Sequence, residues 1–536
     1  MKKIFVTLIF IAIASFICQI APNFFMEDVY EDGEVRVIFN SNEITRNANK
    51  MPQKALVVDG KLMLSQDTVD ILFDKWLYYD TNYDTIITTT DTNVAKLKLD
   101  EKKIKKNGEF FDIEVPAQKI DGEIYIPIEE LQDIYDIQIV NNGKFVITEK
   151  SADMMTVTLK KNLIVKAYKK NFSRTIEKVN AGDKINVFEY QNNPEWVLVR
   201  TSNGNLGYSK INSVEPKKIE APIPAFEIPI PKVNLAWEYA ENGTPDRSTQ
   251  KKIKEIDVLS PTWIYLKNQN GELKNNIDVK YIEWAHKTGY AVWATFKNDG
   301  IGIDGTSKIV ADMKKRESII SDLIKLCQTY NLDGINVDFE GMKKENVNEF
   351  SQFIRELSAS LRRNNLRVSV DVTVPDGSDV WSLCYNRYEI AAAADYMVLM
   401  AYDQFPANSK VPGSTAELSW VESNLKKLIE RDNINPEKII LGIPLYSRLW
   451  WVTNEQLQTS AITMTVAKEY LEKGAKWMEA EGQYYVEYSD GDTTYILWVE
   501  DEKAVEEKRK LIEKYNLAGA AYWRLGYEAK KFWEYK

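Results

Sequence analysis

From residue 232 to the C-terminus, short apolar runs alternate with amphipathic helical patterns, and this rhythm constrains the fold more than any other feature of the chain. The strand-like runs are KVNLAWEY (232–239), DVLSPTWIYL (257–266), GYAVWATF (289–296), GINVDFE (334–340), RVSVDVTV (367–374), YMVLMAYD (396–403), KIILGIPLY (438–446) and GAAYWRLG (519–526). Helical patterns such as NVNEFSQFIRELSASLRRN and SWVESNLKKLIERD lie between them. Eight strands interleaved with helices over this length predict a (β/α)8 barrel. A segment at roughly 450–500, holding GQYYVEYSDGDTTYILWVE, reads as a small α+β insertion between strands seven and eight, on the upper rim.

The rest of the chain is built differently. Residues 34–150 are strand-rich and carry a faint repeat: LVVDGKLMLSQDTVDILFD (56–74) parallels QKIDGEIYIPIEELQDIYD (118–136). In each copy an Asp-Gly hairpin leads to a strand and then to a short amphipathic helix, and NNGKFVITE supplies a further hairpin. This pattern resembles the small α+β domain named after the N-terminal region of copper amine oxidases. The resemblance brings no copper, because the region has no histidine. Residues 153–215 hold short strands separated by turn residues, ending in GNLGYSKI, and resemble a bacterial SH3-like barrel, either a spacer or a wall-binding module. EPKKIEAPIPAFEIPIPKV (215–233) follows; its prolines predict an extended linker over 216–231, which sets the barrel over 232–536 apart as a separate domain.

Composition narrows the chemistry. At 536 residues the chain predicts several domains, and a net charge of −10 with no basic tract argues against nucleic acid. The lone histidine, His286, sits in a helical stretch and reads as a surface or packing residue, which removes His-rich metal sites. The three cysteines show no metal spacing, and Cys327 reads as a small core residue. No metal or other cofactor is expected. Lys2 and Lys3 precede an apolar run, so 1–21 is a signal peptide or an uncleaved membrane anchor contacting the membrane through residues 4–21, and the protein works outside the membrane.

The fourth strand poses the functional question. In NLDGINVDFEGM (331–342), Ile335, Val337 and Phe339 alternate with Asn336, Asp338 and Glu340. Burying such acids together costs several kcal/mol unless they are paired or used. At the C-terminal mouth of a barrel they are expected to line a wet cleft instead. The other strand ends agree: Tyr402 and Asp403 close strand six, Tyr446 and Arg448 strand seven, and Trp523 strand eight. Carboxylates ringed by Trp and Tyr suit a sugar, whose faces stack on aromatic rings while its hydroxyls meet the acids.

DGINVDFE resembles the DGxDxDxE signature of family 18 glycoside hydrolases, and the ends of strands six to eight are similar too. With WVEDEKAVEEKRKLIEKYNLAGAAYWRLGYE (498–528), the region looks closest to the spore-germination and cortex-lytic branch of N-acetylglucosaminidases. The resemblance implies retaining hydrolysis of β-1,4 bonds in an N-acetylglucosamine glycan, with the substrate's own acetamido oxygen as nucleophile, an exception to the two-carboxylate scheme. It makes Glu340 the acid and base, Asp338 the residue holding the acetamido N–H, and Tyr402 the partner of its carbonyl. Trp523 becomes the floor under the sugar, and Asp403, Asn336, Tyr446, Arg448, Trp237 and Glu500 join the substrate-binding set.

Two departures stand out. Asn336 occupies the place of an aspartate that in chitinases shares a proton with its neighbour. The third strand, AVWATFKND, lacks the usual serine and paired glycines. Both favour the cortex-lytic branch over a chitinase. The alternatives are a chitinase and a catalytically weak chitinase-like lectin of the envelope, which would normally have lost Glu340. The expected partner is a glycan polymer, peptidoglycan or chitin-like, met by a monomer.

Overall fold

The computed structural model describes residues 35–534 apart from 41, 45–53, 142–144, 150–154, 168, 172, 189–194 and 211–231. The expected signal or anchor segment 1–21 and the proline-rich linker lie outside the described residues. No helix among the described residues is long and apolar enough to cross a membrane. The chain divides into two compact units, one formed by residues up to 228 without 91–94 and the other by 91–94 with 229–536.

The second unit contains the barrel. Its strands are β1 (Leu235–Glu238), β2 (Val258–Leu266), β3 (Ala291–Lys297), β4 (Gly334–Asp338), β5 (Arg367–Thr373), β6 (Tyr396–Met400), β7 (Ile439–Pro444) and β8 (Gly519–Trp523). Each pairs in parallel with the next, and β1 pairs with both β2 and β8, so the sheet closes. Alternation gives each strand two faces. On β4, Ile335 and Val337 join the core shared with the surrounding helices, with Phe350, Phe353 and Leu357 from helix Val347–Arg363. The inward face changes character along the barrel axis. Leu235, Val258, Trp293, Tyr396 and Ile440 form an apolar floor. Ser260, Thr295, Asn336 and Ser369 make a buried polar layer, one step nearer the C-terminal ends.

Glycine opens β4 because nothing larger fits. A Cβ at Gly334 would lie 2.6 Å from the Arg367 carbonyl oxygen and 2.8 Å from the Trp293 ring. The preceding Asp333 accepts from the Val292 backbone N–H at 2.8 Å and faces His286 Nε2 at 2.8 Å, so His286, on helix Val279–Thr288, pins that helix to the barrel bottom. Cys327 is buried in the core, in helix Met313–Tyr330.

Between β7 and β8 lies a five-stranded sheet of Tyr446–Thr453, Gln456–Thr463, Lys476–Met478, Gln483–Asp490 and Thr493–Val499, with helix Met464–Glu469. It begins at Tyr446, earlier than the sequence pattern suggested, because the chain kinks after Pro444 and starts a new strand. Its own core is Leu449, Ala467, Val486, Leu497 and Val499.

In the first unit the two repeat copies form hairpins Ala55–Val58/Lys61–Ser65 and Gln118–Ile120/Glu123–Pro127. Their inner strands pair with each other antiparallel, Leu64 opposite Ile126. Both turns place Asp then Gly at positive φ (49° and 82°; 51° and 87°), the geometry a two-residue hairpin needs. The first copy continues into helix Gln66–Leu72, capped by Ser65. The second gives only a 3-10 turn, Ile128–Leu131, because Pro127 stands at the cap and offers no side-chain acceptor. Residues 155–210 form a six-stranded sheet around Val165, Val187, Val197 and Val199.

Candidate active site

β4 ends at Asp338, and Phe339 and Glu340 continue as a loop held from several sides. Asn298, one residue beyond β3, clamps the Glu340 backbone: its Oδ1 accepts from the Glu340 N–H at 2.9 Å and its Nδ2 donates to the Glu340 carbonyl at 2.8 Å. Thr306 accepts a second bond from Asn298 Nδ2 at 2.9 Å. The Tyr385 hydroxyl donates to the Phe339 carbonyl at 2.6 Å, and the Phe339 ring lies against Phe296, Phe350 and Phe353. Glu340 therefore has a fixed backbone and a side chain that opens upward. It shares a cleft of about 600 Å³ with Tyr402, Asp403, Thr373, Trp381 and Trp420.

The acids do not all line a wet cleft, as the sequence suggested. Asn336 is fully buried and Asp338 is 7% exposed. Asn336 makes no sugar-facing contact: its Oδ1 accepts from Trp237 Nε1 at 2.9 Å and from Ser260 at 3.2 Å. Its Nδ2 donates to Ser369 at 2.9 Å and to Asp371 Oδ1 at 2.7 Å. An amide with both ends saturated this way is a structural hub of the barrel interior, and it does not bond Asp338.

Asp338 and Glu340 are both raised acids. Burial, followed by the charge of Asp338, pushes the Glu340 carboxyl well above the ordinary range. Burial also raises Asp338, opposed by the Lys297 ammonium. Each of the two acids therefore holds its proton more tightly than an exposed carboxyl does. Lys297, the last residue of β3, stands level with Asp338 and reaches Asp299 at 2.6 Å and Glu241 at 3.2 Å. Burial opposes its charge, and Asp338 with the two other carboxylates overcomes that, holding the ammonium above its usual value.

The remaining expected residues sort into two groups. The Tyr402 hydroxyl makes no hydrogen bond to another described residue and faces the cleft beside Glu340. Asp403 has a left-handed backbone (φ 54°), and its Oδ1 accepts from the Tyr446 hydroxyl at 2.6 Å and from Arg448 Nη2 at 2.9 Å. Tyr446 and Arg448 are buried, so they orient Asp403 from below. Trp523 keeps part of its ring exposed and stands edge to face on Trp237, centroids 5.8 Å apart. Trp237 itself is 1% exposed, so it supports Trp523 and Asn336 and presents no face to a sugar. Glu500 is fully buried with Lys508 Nζ at 2.8 and 3.1 Å from its two oxygens and Gln483 Nε2 at 2.6 Å. That geometry is an internal ion pair, with no oxygen left for a substrate.

Several site residues escaped the sequence reading. Asn298 and Lys297 lie in the FKND that marked only a departure from a pattern. Asp371 sits in RVSVDVTV, whose polar alternation of Ser369, Asp371 and Thr373 was a usable signal. Trp381 and Trp420 come from loop and helix positions with no periodic mark. Among the described residues no group of acids, His and Cys is arranged to hold a metal ion.

Residues 301–528 match the glycosyl hydrolases family 18 model, and residues 38–149 match the copper amine oxidase N-terminal domain. The uncharacterized glycosylase YvbX of Bacillus subtilis (strain 168) is 27% identical over 277 residues, half of this chain and 80% of that protein. The cortical fragment-lytic enzyme of Bacillus cereus is 21% identical over 251 residues, 45% of this chain and 57% of that one. A chitinase structure from Chromobacterium violaceum superposes with a TM-score of 0.51 at 24% identity, covering 56% of this chain and 97% of that one, which is a likeness of fold. The barrel with its acid-bearing fourth strand is thus a glycosyl hydrolases family 18 domain, carried behind a copper amine oxidase N-terminal domain, and the chain is a glycosidase.

Proposed function

We propose that the barrel hydrolyses β-1,4 bonds of peptidoglycan, in spore cortex or cell wall, on the reducing side of N-acetylglucosamine and with retention of configuration. The observation that carries this reading is the Glu340–Asp338 pair: a carboxyl raised by burial on a clamped loop, a second carboxyl two residues earlier, and the Tyr402 hydroxyl in the same cleft. Glu340 delivers its proton to the leaving oxygen as the acetamido oxygen attacks the anomeric carbon. Asp338 holds the acetamido N–H and balances the positive charge of the oxazolinium ion. Tyr402 donates to the acetamido oxygen, and Trp523 stacks under the ring. Glu340, now a carboxylate, takes a proton from the water that opens the oxazolinium ion. Asp403, held by Tyr446 and Arg448, bonds the same sugar.

The relatives support peptidoglycan over chitin, since one of them is a cortical fragment-lytic enzyme. The repeat domain and the domain expected over 153–215, read as SH3-like, would hold the barrel at the wall, outside the membrane. The test is digestion of purified cortex, vegetative peptidoglycan and chitin with the full chain, followed by mass spectrometry of the new reducing ends. N-acetylglucosamine ends from cortex or peptidoglycan are expected. Muramic ends, or cleavage of chitin alone, would overturn the substrate, and binding without cleavage would make the protein a lectin.

A further inference from the structure

The fourth strand has an amide where a second carboxyl is expected, yet the site does hold a third carboxyl group, on the next strand. Asp371 points inward from β5. The register pairs Asn336 with Ser369 and Val337 with Val370, and continuing it one residue sets Asp371 level with Asp338. Asp371 is 1% exposed. Its Oδ1 accepts from Asn336 Nδ2 at 2.7 Å, while its Oδ2 has no hydrogen-bond partner. Asp338 Oδ1 is likewise buried without a partner. Two orphaned carboxyl oxygens on neighbouring inward positions are an uncommon arrangement, because a buried acceptor left unpaired loses its hydration without a replacement bond.

A single proton removes the difficulty. If Asp371 is a carboxylic acid, Oδ1 still accepts from Asn336 and the Oδ2 hydroxyl becomes a donor beside a negatively charged neighbour. We propose that Asp371 is a positioning residue that keeps its proton at neutral pH and directs the Oδ2 hydroxyl toward Asp338, supplying from β5 the proton-holding partner that Asn336 lacks. The charged groups around it agree. Asp338 and Glu340 face it from β4 and the loop beyond, and the Tyr402 hydroxyl faces it from the end of β6. Lys297, on the neighbouring β3, is already engaged by Asp299 and Glu241. Burial, then the charge of Asp338, drives the Asp371 carboxyl far above the ordinary range. Three carboxyls around one ammonium in a water-poor interior do not all ionise.

The role predicts a particular pH behaviour. A hydroxyl donated to ionised Asp338 favours the ionised form, so its loss raises the Asp338 titration. The experiment rests on the proposed hydrolase activity for one readout and is independent of it for the other. In the full chain, Asp371→Ala is expected to move the acid limb of the kcat/KM profile on a soluble chitooligosaccharide to higher pH by about one unit, the size of one charge-assisted hydrogen bond. Asp371→Asn, which keeps an N–H donor where the hydroxyl stood, is expected to lower kcat while leaving that limb in place. If both variants move the limb to lower pH, Asp371 was ionised and the proposal is overturned. If neither moves it, Asp371 only supports Asn336, and the proposal again fails. Infrared spectra of Glu340→Gln, with and without Asp371→Asn, supply the second readout. A protonated-carboxyl band at neutral pH that disappears with the second substitution supports the proton on Asp371, even if the chain cleaves no glycan, and absence of the band contradicts it.

Discussion

Two of the second unit's buried carboxyl sites, one around Glu500 and one around Asp338, differ in a way that separates structure from chemistry. Glu500 is fully buried and its carboxyl is pushed up to about 7 by burial, against the pull of Lys508. Yet Lys508, Gln483 and the Ser447 hydroxyl, which accepts from the Glu500 N–H at 2.7 Å, leave nothing unsatisfied there. Asp338 and Asp371 are buried to a similar depth while Glu340 opens to the cleft, the nearby Lys297 is shared with two other acids, and Asp338 Oδ1 and Asp371 Oδ2 are left unpartnered. Burial and a raised acid are common to both clusters. The orphaned oxygens, which a shared proton would satisfy, distinguish the proposed site from the structural ion pair.

The largest expected contrast is in activity. Glu340→Gln keeps the shape of the side chain and removes its proton, so kcat is expected to fall by about 10²–10⁴-fold with glycan binding retained. Turnover near that of the parent would remove Glu340 from the acid's role. The converse holds for the structural cluster. Lys508→Met strands Glu500 in the interior and is expected to cost about 3–5 kcal/mol in urea unfolding, with turnover per folded molecule unchanged. Replacing both partners, Glu500→Leu with Lys508→Met, is expected to recover much of that loss. A drop in turnover larger than the drop in folded fraction would show that Glu500 takes part in the reaction.

Asn298→Ala tests the clamp. It removes both bonds to the Glu340 backbone, and misplacing the acid is expected to lower kcat on the order of 10²-fold while KM changes little. An unchanged kcat would mean that Tyr385 and the phenylalanine cluster hold the loop unaided. The smallest effect concerns stability. The folded state holds a proton on Glu340 that the unfolded chain releases above the ordinary glutamate range. That contribution is complete at acid pH and is lost as the pH rises toward the folded titration. Wild type should therefore lose stability relative to Glu340→Gln by on the order of 1 kcal/mol per pH unit across that interval. Parallel stability curves would contradict a raised acid at 340.

The barrel was legible because helical patterns lie between many of its strands, and strand alternation put Asn336, Asp338 and Glu340 on one side. Alternation gives the side of a residue and not its depth. It could not separate Asn336, saturated inside the barrel, from Glu340, open to the cleft two positions later. Trp237 and Glu500 were misleading for the same reason: an aromatic or an acid near a strand end counts as sugar-facing only if the packing above leaves it open, and Trp523 and Lys508 close those two off. Asn298 and Asp371 were missed because their partners, the Glu340 backbone and Asn336, lie on neighbouring strands tens of residues away in the chain.

The central claim is that Glu340 and Asp338 act on a substrate whose own acetamide is the nucleophile. Proton NMR of the first-formed product from a chitooligosaccharide, recorded before mutarotation, tests it most directly. The account predicts the β-anomer, retained through two inversions at one carbon, with no sugar attached to the enzyme. An initial α-anomer, or a glycosyl ester trapped on Asp338, would contradict it.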